Sequence, residues 1–125
     1  MGHHRRELAL AFVEAFTLVT ACQGEQADGL APLDEGHRQQ RSRRLAEHVH
    51  AATLVGGRRV LPELPDRGVK SAMFYVLVGA RMPAVLLEAS FLTKPEEAAA
   101  LHTERYREAL ASGIAEGIVR YVAEL

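Results

Sequence analysis

Glu88 is the side chain whose surroundings most invite chemistry. It closes the short apolar run Pro83-Ala84-Val85-Leu86-Leu87, and in open α/β sheets ligands and catalytic groups gather at strand ends. A carboxylate in such a place acts as a general base or a metal ligand, although on composition alone a solvent-facing Glu is the commoner arrangement. The histidines do not converge on it. His48 and His50 lie two apart on a predicted helix, about 200° around the axis, so they cannot grip one ion together. His37 follows Asp34-Glu35-Gly36 with no strand ahead of it, and His102 reads as a lone surface residue. His3 and His4 sit near the terminus, where adventitious metal binding is the ordinary behaviour. No metal ligand set is assigned to this chain. A single cysteine, Cys22, excludes an intrachain disulfide, a Cys-based zinc knot and a CxxC redox pair.

The elements that must position Glu88 follow from patterning. Residues 73–78 and 84–87 are continuous apolar runs, which fits strands buried on both faces. The link between them is too short for a parallel crossover, so the two pair antiparallel if they are neighbours, and the sheet is mixed. A helix over 42–55 precedes them, with Ser42 as N-cap, Leu45, Val49 and Ala52 on one stripe, and Gly56-Gly57 as its stop. Residues 58–70, broken by Pro62, Pro65 and Gly68, read as a connecting loop. After Glu88, Thr93 and Glu96 form a capping box with Pro95 in the first turn, opening a helix whose stripe is Tyr106, Leu110, Ile114, Ile118 and Tyr121. Gly113 and Gly117 on that helix imply close packing against the sheet.

Composition bounds the rest. The chain has 125 residues, 48% hydrophobic and 25% charged, with 15 Lys plus Arg against 16 Asp plus Glu, which is the balance of one ordinary globular domain. The near-zero net charge argues against non-specific nucleic-acid binding. Residues 1–22 read either as an amphipathic helix, with Leu8, Phe12, Ala15, Phe16 and Val19 on one stripe, or as a signal-like segment ending in the lipobox-like Val19-Thr20-Ala21-Cys22. Glu14 interrupts its apolar run, so no membrane-spanning helix is predicted there. Residues 23–41 read as a linker or loop, and 42–125 as the folded unit.

The stretch 67–101, RGVKSAMFYVLVGARMPAVLLEASFLTKPEEAAAL, resembles the signature of the zinc-dependent N-acetylmuramoyl-L-alanine amidases of the type 3 family. SRRLAEHVH before it and YREALASGIAEGIVRYV after it are similar to that family's flanking helices, so the likeness spans 42–125. The resemblance implies a partial α/β amidase-type catalytic domain, a mixed sheet with flanking helices from which the N-terminal half of the fold is missing. It implies Glu88 as the catalytic carboxylate beside a zinc-bound water, and hydrolysis of the amide between N-acetylmuramic acid and L-alanine of peptidoglycan in the cell envelope. The family's zinc is held by His, Glu and His from the missing half, so zinc is its cofactor without being bound by these residues alone; a non-catalytic remnant or binding module is the alternative. Arg67, with Lys70 in the same RGVK loop, is a candidate for positioning an anionic substrate, against an exposed-loop or structural role as the commoner arrangement, and Arg81 is another such candidate. Two positions depart from the family: Ser90 stands where it has Gly, and Lys94 where it has Asn. His37 lies too close to Glu88 in sequence to be the family's first ligand. A sheet lacking half its strands has open edges, which implies a partner chain or self-association.

Overall fold

The computed structural model of the chain describes residues 18–20, 32–72, 74–77 and 80–125. The lipobox at Cys22, His3 and His4, most of the amphipathic stripe and residues 23–31 of the expected linker lie outside them. In chain order the elements are β1 (Leu18–Thr20), α1 (Pro32–Arg58), β2 (Val69–Ser71), a 3-10 turn (Tyr75–Leu77), β3 (Val85–Leu87), α2 (Pro95–Leu101) and α3 (Glu104–Val122).

The sheet is mixed and three-stranded, in the order β2-β1-β3. Strand β1 pairs parallel to β2, with Leu18 opposite Val69, and antiparallel to β3, with Leu18 opposite Leu87. Residues 18–20 are therefore strand, not the end of an amphipathic helix. The apolar run expected to neighbour β3 does not do so: residues 75–77 are a 3-10 turn in which Tyr75 is 94% exposed. Apolarity alone does not distinguish a buried strand from an exposed turn, and the place beside β3 is taken by β1. Strand β2 instead arises within 58–71, at the end of what reads as a loop.

Helix α1 starts at Pro32, so residues 32–41 are helical instead of linker, and Pro at the first position suits the donor-free first turn. Ser42 is not a cap. It is buried in mid-helix, and its Oγ accepts the backbone N–H of Ala84 at 3.1 Å, tying α1 to the approach of β3. The helix also runs through Gly56 and Gly57 to Arg58. These glycines are there for contact: a Cβ on Gly56 would lie 2.6 Å from the Ala109 carbonyl oxygen, and one on Gly57 2.7 Å from Leu64 Cδ2.

The same rule governs α3. A Cβ on Gly113 would sit 2.5 Å from Thr53 Cα, and one on Gly117 2.7 Å from the His48 carbonyl oxygen. The glycine face thus packs on α1, not on the sheet, and backbones touch where side chains would otherwise separate them. Its buried line is Tyr106, Leu110, Gly113, Gly117 and Tyr121, while Ile118 is 45% exposed.

Two apolar clusters complete the core. Leu54, Leu64, Tyr106 and Leu110 form one; Ala46 and Val49 form the other with Val69, Val85 and Ile114. Each large side chain so buried contributes about 1.5–3 kcal/mol. Leu87 packs against both clusters, which fixes the residue immediately before Glu88.

Candidate active site

Glu88 follows the last residue of β3 and is half-buried. Its carboxylate makes no hydrogen bond or ion pair with the described residues, so what they fix of it is the backbone from which it departs. That backbone is fixed at once on the far side. Ser90 is fully buried with φ of 70°, in the left-handed region, where a residue with a Cβ pays about 1–2 kcal/mol. Its hydroxyl lies 2.8 Å from the Tyr106 hydroxyl, a bond between two buried groups that offsets the strain. The family's Gly at this position is thereby explained, and so is the serine that replaces it. Burial pushes the Tyr106 phenol up, and the phenol keeps its proton at neutral pH.

One residue further on, the N–H of Phe91 donates to Glu97 Oε2 at 2.6 Å. Glu97 occupies the third position of α2, and its carboxylate reaches back over the turn. Arg67 grips the same carboxylate with two nitrogens, Nη2 to Oε1 at 2.7 Å and Nη1 to Oε2 at 3.3 Å. Glu97 is buried, at 4% exposure, and Arg67 is mostly covered, at 13%. The Arg67 guanidinium also lies 3.9 Å above the centre of the Phe91 ring, so it stacks on the residue whose amide its partner holds. Burial pushes the Glu97 carboxyl up, but the Arg67 hydrogen bonds, the Phe91 N–H and the charges of Arg67 and Lys94 outweigh it and leave its pKa below the ordinary value.

Helix α2 is not opened by the expected capping box. Lys94 is its N-cap and offers no side-chain bond, and Glu97 acts where Glu96 was expected. Nor is there one long terminal helix: the chain breaks at His102 and Thr103, and Thr103 Oγ1 caps α3 by accepting the Tyr106 N–H at 3.3 Å.

The other sequence candidates are dispersed. Arg67 is tied into the Glu97 pair; Lys70 and Arg81 are exposed. His48 Nε2 lies 2.9 Å from Glu124, and buried His50 lies 2.7 Å from Asp66 Oδ1, which also accepts the Gly68 N–H at 2.9 Å. The hydrogen bond from His50 and that N–H outweigh desolvation and lower the Asp66 pKa. With Gly68 at φ of 74°, this turn aims Arg67 toward α2 and leads into β2. His37 and His102 are exposed. A cleft of about 350 Å³ lies along the α1–α3 crossing, lined by Val55, Arg59, Arg105, Glu108 and Glu116 among others, and does not include Glu88. Sequence reasoning placed Tyr106 on the core stripe but missed its bond to Ser90, and it missed the part played by Glu97. The Gly-to-Ser departure at Ser90 was the signal that marked the turn, while the pairing of Arg67 with Glu97 across 30 residues left no local trace.

The described residues define a mixed α/β unit with one carboxylate at a strand end. Residues 7–120 match the family described as N-acetylmuramoyl-L-alanine amidase. Among similar proteins, the amidase LytC of Bacillus subtilis is 37% identical over 90 residues, 70% of this chain and 17% of that protein. The amidase AmiA of Escherichia coli is 42% identical over 59 residues, 47% of this chain and 20% of its own length. A crystal structure of an N-acetylmuramoyl-L-alanine amidase from Clostridium difficile 630 superposes with a TM-score of 0.62 at 29% identity, covering 89% of this chain and 50% of that one. The chain belongs to the N-acetylmuramoyl-L-alanine amidase family. It spans about a fifth or less of these two curated relatives, and half of this solved one.

The family is zinc-dependent, and the residues here can be tested against that metal. Among the described residues no three His, Cys, Asp or Glu side chains come together as a metal site. His48 and His50 are instead turned to Glu124 and Asp66. The described residues do not fit zinc, and the chemistry that can be derived from them is that of Glu88. Among the described residues no helix is long and apolar enough to cross a membrane.

Proposed function

We propose that this chain supplies the proton-transferring half of a peptidoglycan amidase, acting on the amide between N-acetylmuramic acid and L-alanine of the stem peptide. The observation that supports it is the placement of Glu88: at the end of β3, half-buried, and with no partner among the described residues, in a chain of this family. A carboxylate not already engaged by a cation or an N–H can accept the proton of an attacking water and return it to the departing amine of L-alanine, a role worth about 100- to 10,000-fold in rate. The metal ligands would come from outside the described residues. The substrate places the activity in the cell envelope. Strands β2 and β3 are the outer strands of the described sheet, and pairing of their edges with further strands, from a partner chain or a second copy, belongs to the same proposal.

A direct test replaces the matching segment of the Clostridium difficile amidase with residues 42–125 of this chain. With zinc, the graft is expected to release new N-terminal L-alanine from peptidoglycan without new reducing ends, and Glu88→Gln to abolish that release. A graft that is folded and zinc-loaded yet inert, or one indifferent to Glu88→Gln, overturns the reading. Such an inert graft is the outcome required by the second reading, a non-catalytic binding module, which draws on the absence of a metal cluster among the described residues.

A further inference from the structure

We propose that Arg67, Glu97 and the Ser90–Tyr106 pair are positioning residues that aim Glu88, and that Arg67 serves the site through Glu97 instead of through substrate. The inference rests on the proposed role of Glu88. A carboxylate without a lateral partner keeps only the direction its backbone gives it. On the strand side that backbone is held by Leu87, packed against both apolar clusters. Beyond Glu88 it is held by three contacts from three separate parts of the chain. Ser90 is bonded to Tyr106 of α3 at 2.8 Å, the Phe91 amide to Glu97 of α2 at 2.6 Å, and the Phe91 ring lies under Arg67 from the turn before β2 at 3.9 Å.

The arrangement is closed on itself. Arg67 holds Glu97, Glu97 holds the Phe91 amide, and Phe91 supports Arg67 from below. Because Glu97 is buried and Arg67 mostly covered, their bidentate contact is worth more than a surface pair and fixes orientation as well as distance. The guanidinium has two nitrogens spent on Glu97 and a face spent on Phe91, which leaves it poorly suited to grip an anionic substrate. Ser90 adds the special backbone angle, and φ of 70° reverses the chain so that Glu88 and Phe91 leave the turn in fixed directions.

The experiment uses the full 125-residue chain and reads geometry without needing turnover. The side-chain carboxyl carbon of Glu88 is observed by NMR and assigned through Glu88→Gln, while exchange of the Phe91 amide hydrogen and thermal melting are followed in parallel. In Glu97→Ala the Phe91 amide is expected to exchange about tenfold faster or more, and the Glu88 resonance to collapse toward its unstructured value. In Glu97→Gln, which keeps an acceptor oxygen for that amide, most of the Glu88 shift should return. A folded Glu97→Ala chain whose Phe91 amide is freed while Glu88 is unmoved overturns the proposal. If Glu97→Ala does not fold, Ser90→Ala decides by the same two signals, an unmoved Glu88 again overturning it. In the active graft described above, Glu97→Gln is expected to lower kcat about 10-fold, toward the 100-fold that a misplaced group costs, with KM unchanged; a change confined to KM would return Arg67 and Glu97 to substrate binding. An inert graft would sink the hydrolytic reading while the NMR result still decided the positioning.

Discussion

The crossing of α1 and α3 and the turn that follows β3 are both buried, but they are held by opposite means. At the crossing, Gly56, Gly113 and Gly117 let one backbone rest on another, carbonyl oxygens and Cα atoms lying where a Cβ would stand. At the turn, an ion pair, an amide-to-carboxylate bond and a hydroxyl pair close around Ser90 and Phe91. The first arrangement specifies distance and tolerates no added volume. The second specifies direction and tolerates no lost partner. A fold can keep the first for stability alone; the second is the arrangement on which the proposed aiming of Glu88 draws.

The largest effect should come from adding volume at the crossing. Gly117→Val would place its Cβ against Val49 and the His48 carbonyl, and since these are backbone atoms that cannot swing aside, the cost should exceed the usual 1–3 kcal/mol or so of overpacking. Circular dichroism should show lost cooperativity or a melt lowered by more than 10 °C or so. An unchanged melt would mean that the crossing is not the rigid partner in the comparison.

Next comes the removal of a partner at the turn. Glu97→Ala leaves a mostly covered Arg67 without its partner, a loss of up to about 3–5 kcal/mol, readable in urea denaturation. A loss under 1 kcal/mol or so would show that the pair is solvated in solution and that direction is set elsewhere. Ser90 sharpens the comparison further. Ser90→Ala keeps the strained φ and strands the Tyr106 hydroxyl, costing about 1–3 kcal/mol, whereas Ser90→Gly relieves the strain while losing the same bond, so it should be the more stable of the two. The reverse order would remove the backbone argument.

Acid offers a milder probe. Because the Glu97 pKa lies below its ordinary value near 4.5, the pair stabilises the chain fully above that value, and the contribution drains away as pH falls through the lowered folded value. Asp66, whose pKa is also lowered, acts in the same direction. Melting temperature should be flat from neutral pH down to about 5 and then fall; in Glu97→Gln the acid limb should be shallower. The smallest effect is the surface control: Glu47→Ala breaks an exposed pair with Arg43 and should move stability by less than about 0.5 kcal/mol.

What could be read from the sequence divides along the same line. The strand ending in Leu87 and the placement of Glu88 behind it were legible because both are local: an apolar run with one charge at its end. The core of the last helix was legible through Tyr106, Leu110 and Tyr121. The start of α1 at Pro32 was hidden because Gly36 and the polar residues around it resemble a loop, and its end was hidden because Gly56-Gly57 reads as a stop when its function is contact with α3. Ser42 looked like a cap since serine favours caps, and its actual partner lies 42 residues away. The middle strand could not be found from pattern, because three residues paired to segments some 50 positions later carry no periodic signal of their own. For Arg67 the sequence left a substrate contact and a structural role side by side, since only the folded chain brings Glu97 to it.

The position of β1 between β2 and β3 also sets a timetable. Leu18 must wait for Val69 on one side and Leu87 on the other. At a synthesis rate of 5–20 residues per second, the strand destined for the middle of the sheet is made about 3–10 s before its parallel neighbour exists. During that interval it has neither pairing partner, and the sheet closes only after the segment bearing Glu88 has been made. Both the described sheet and the turn behind Glu88 therefore wait on residues 69–87, and pairing over such separations forms more slowly than a helix does.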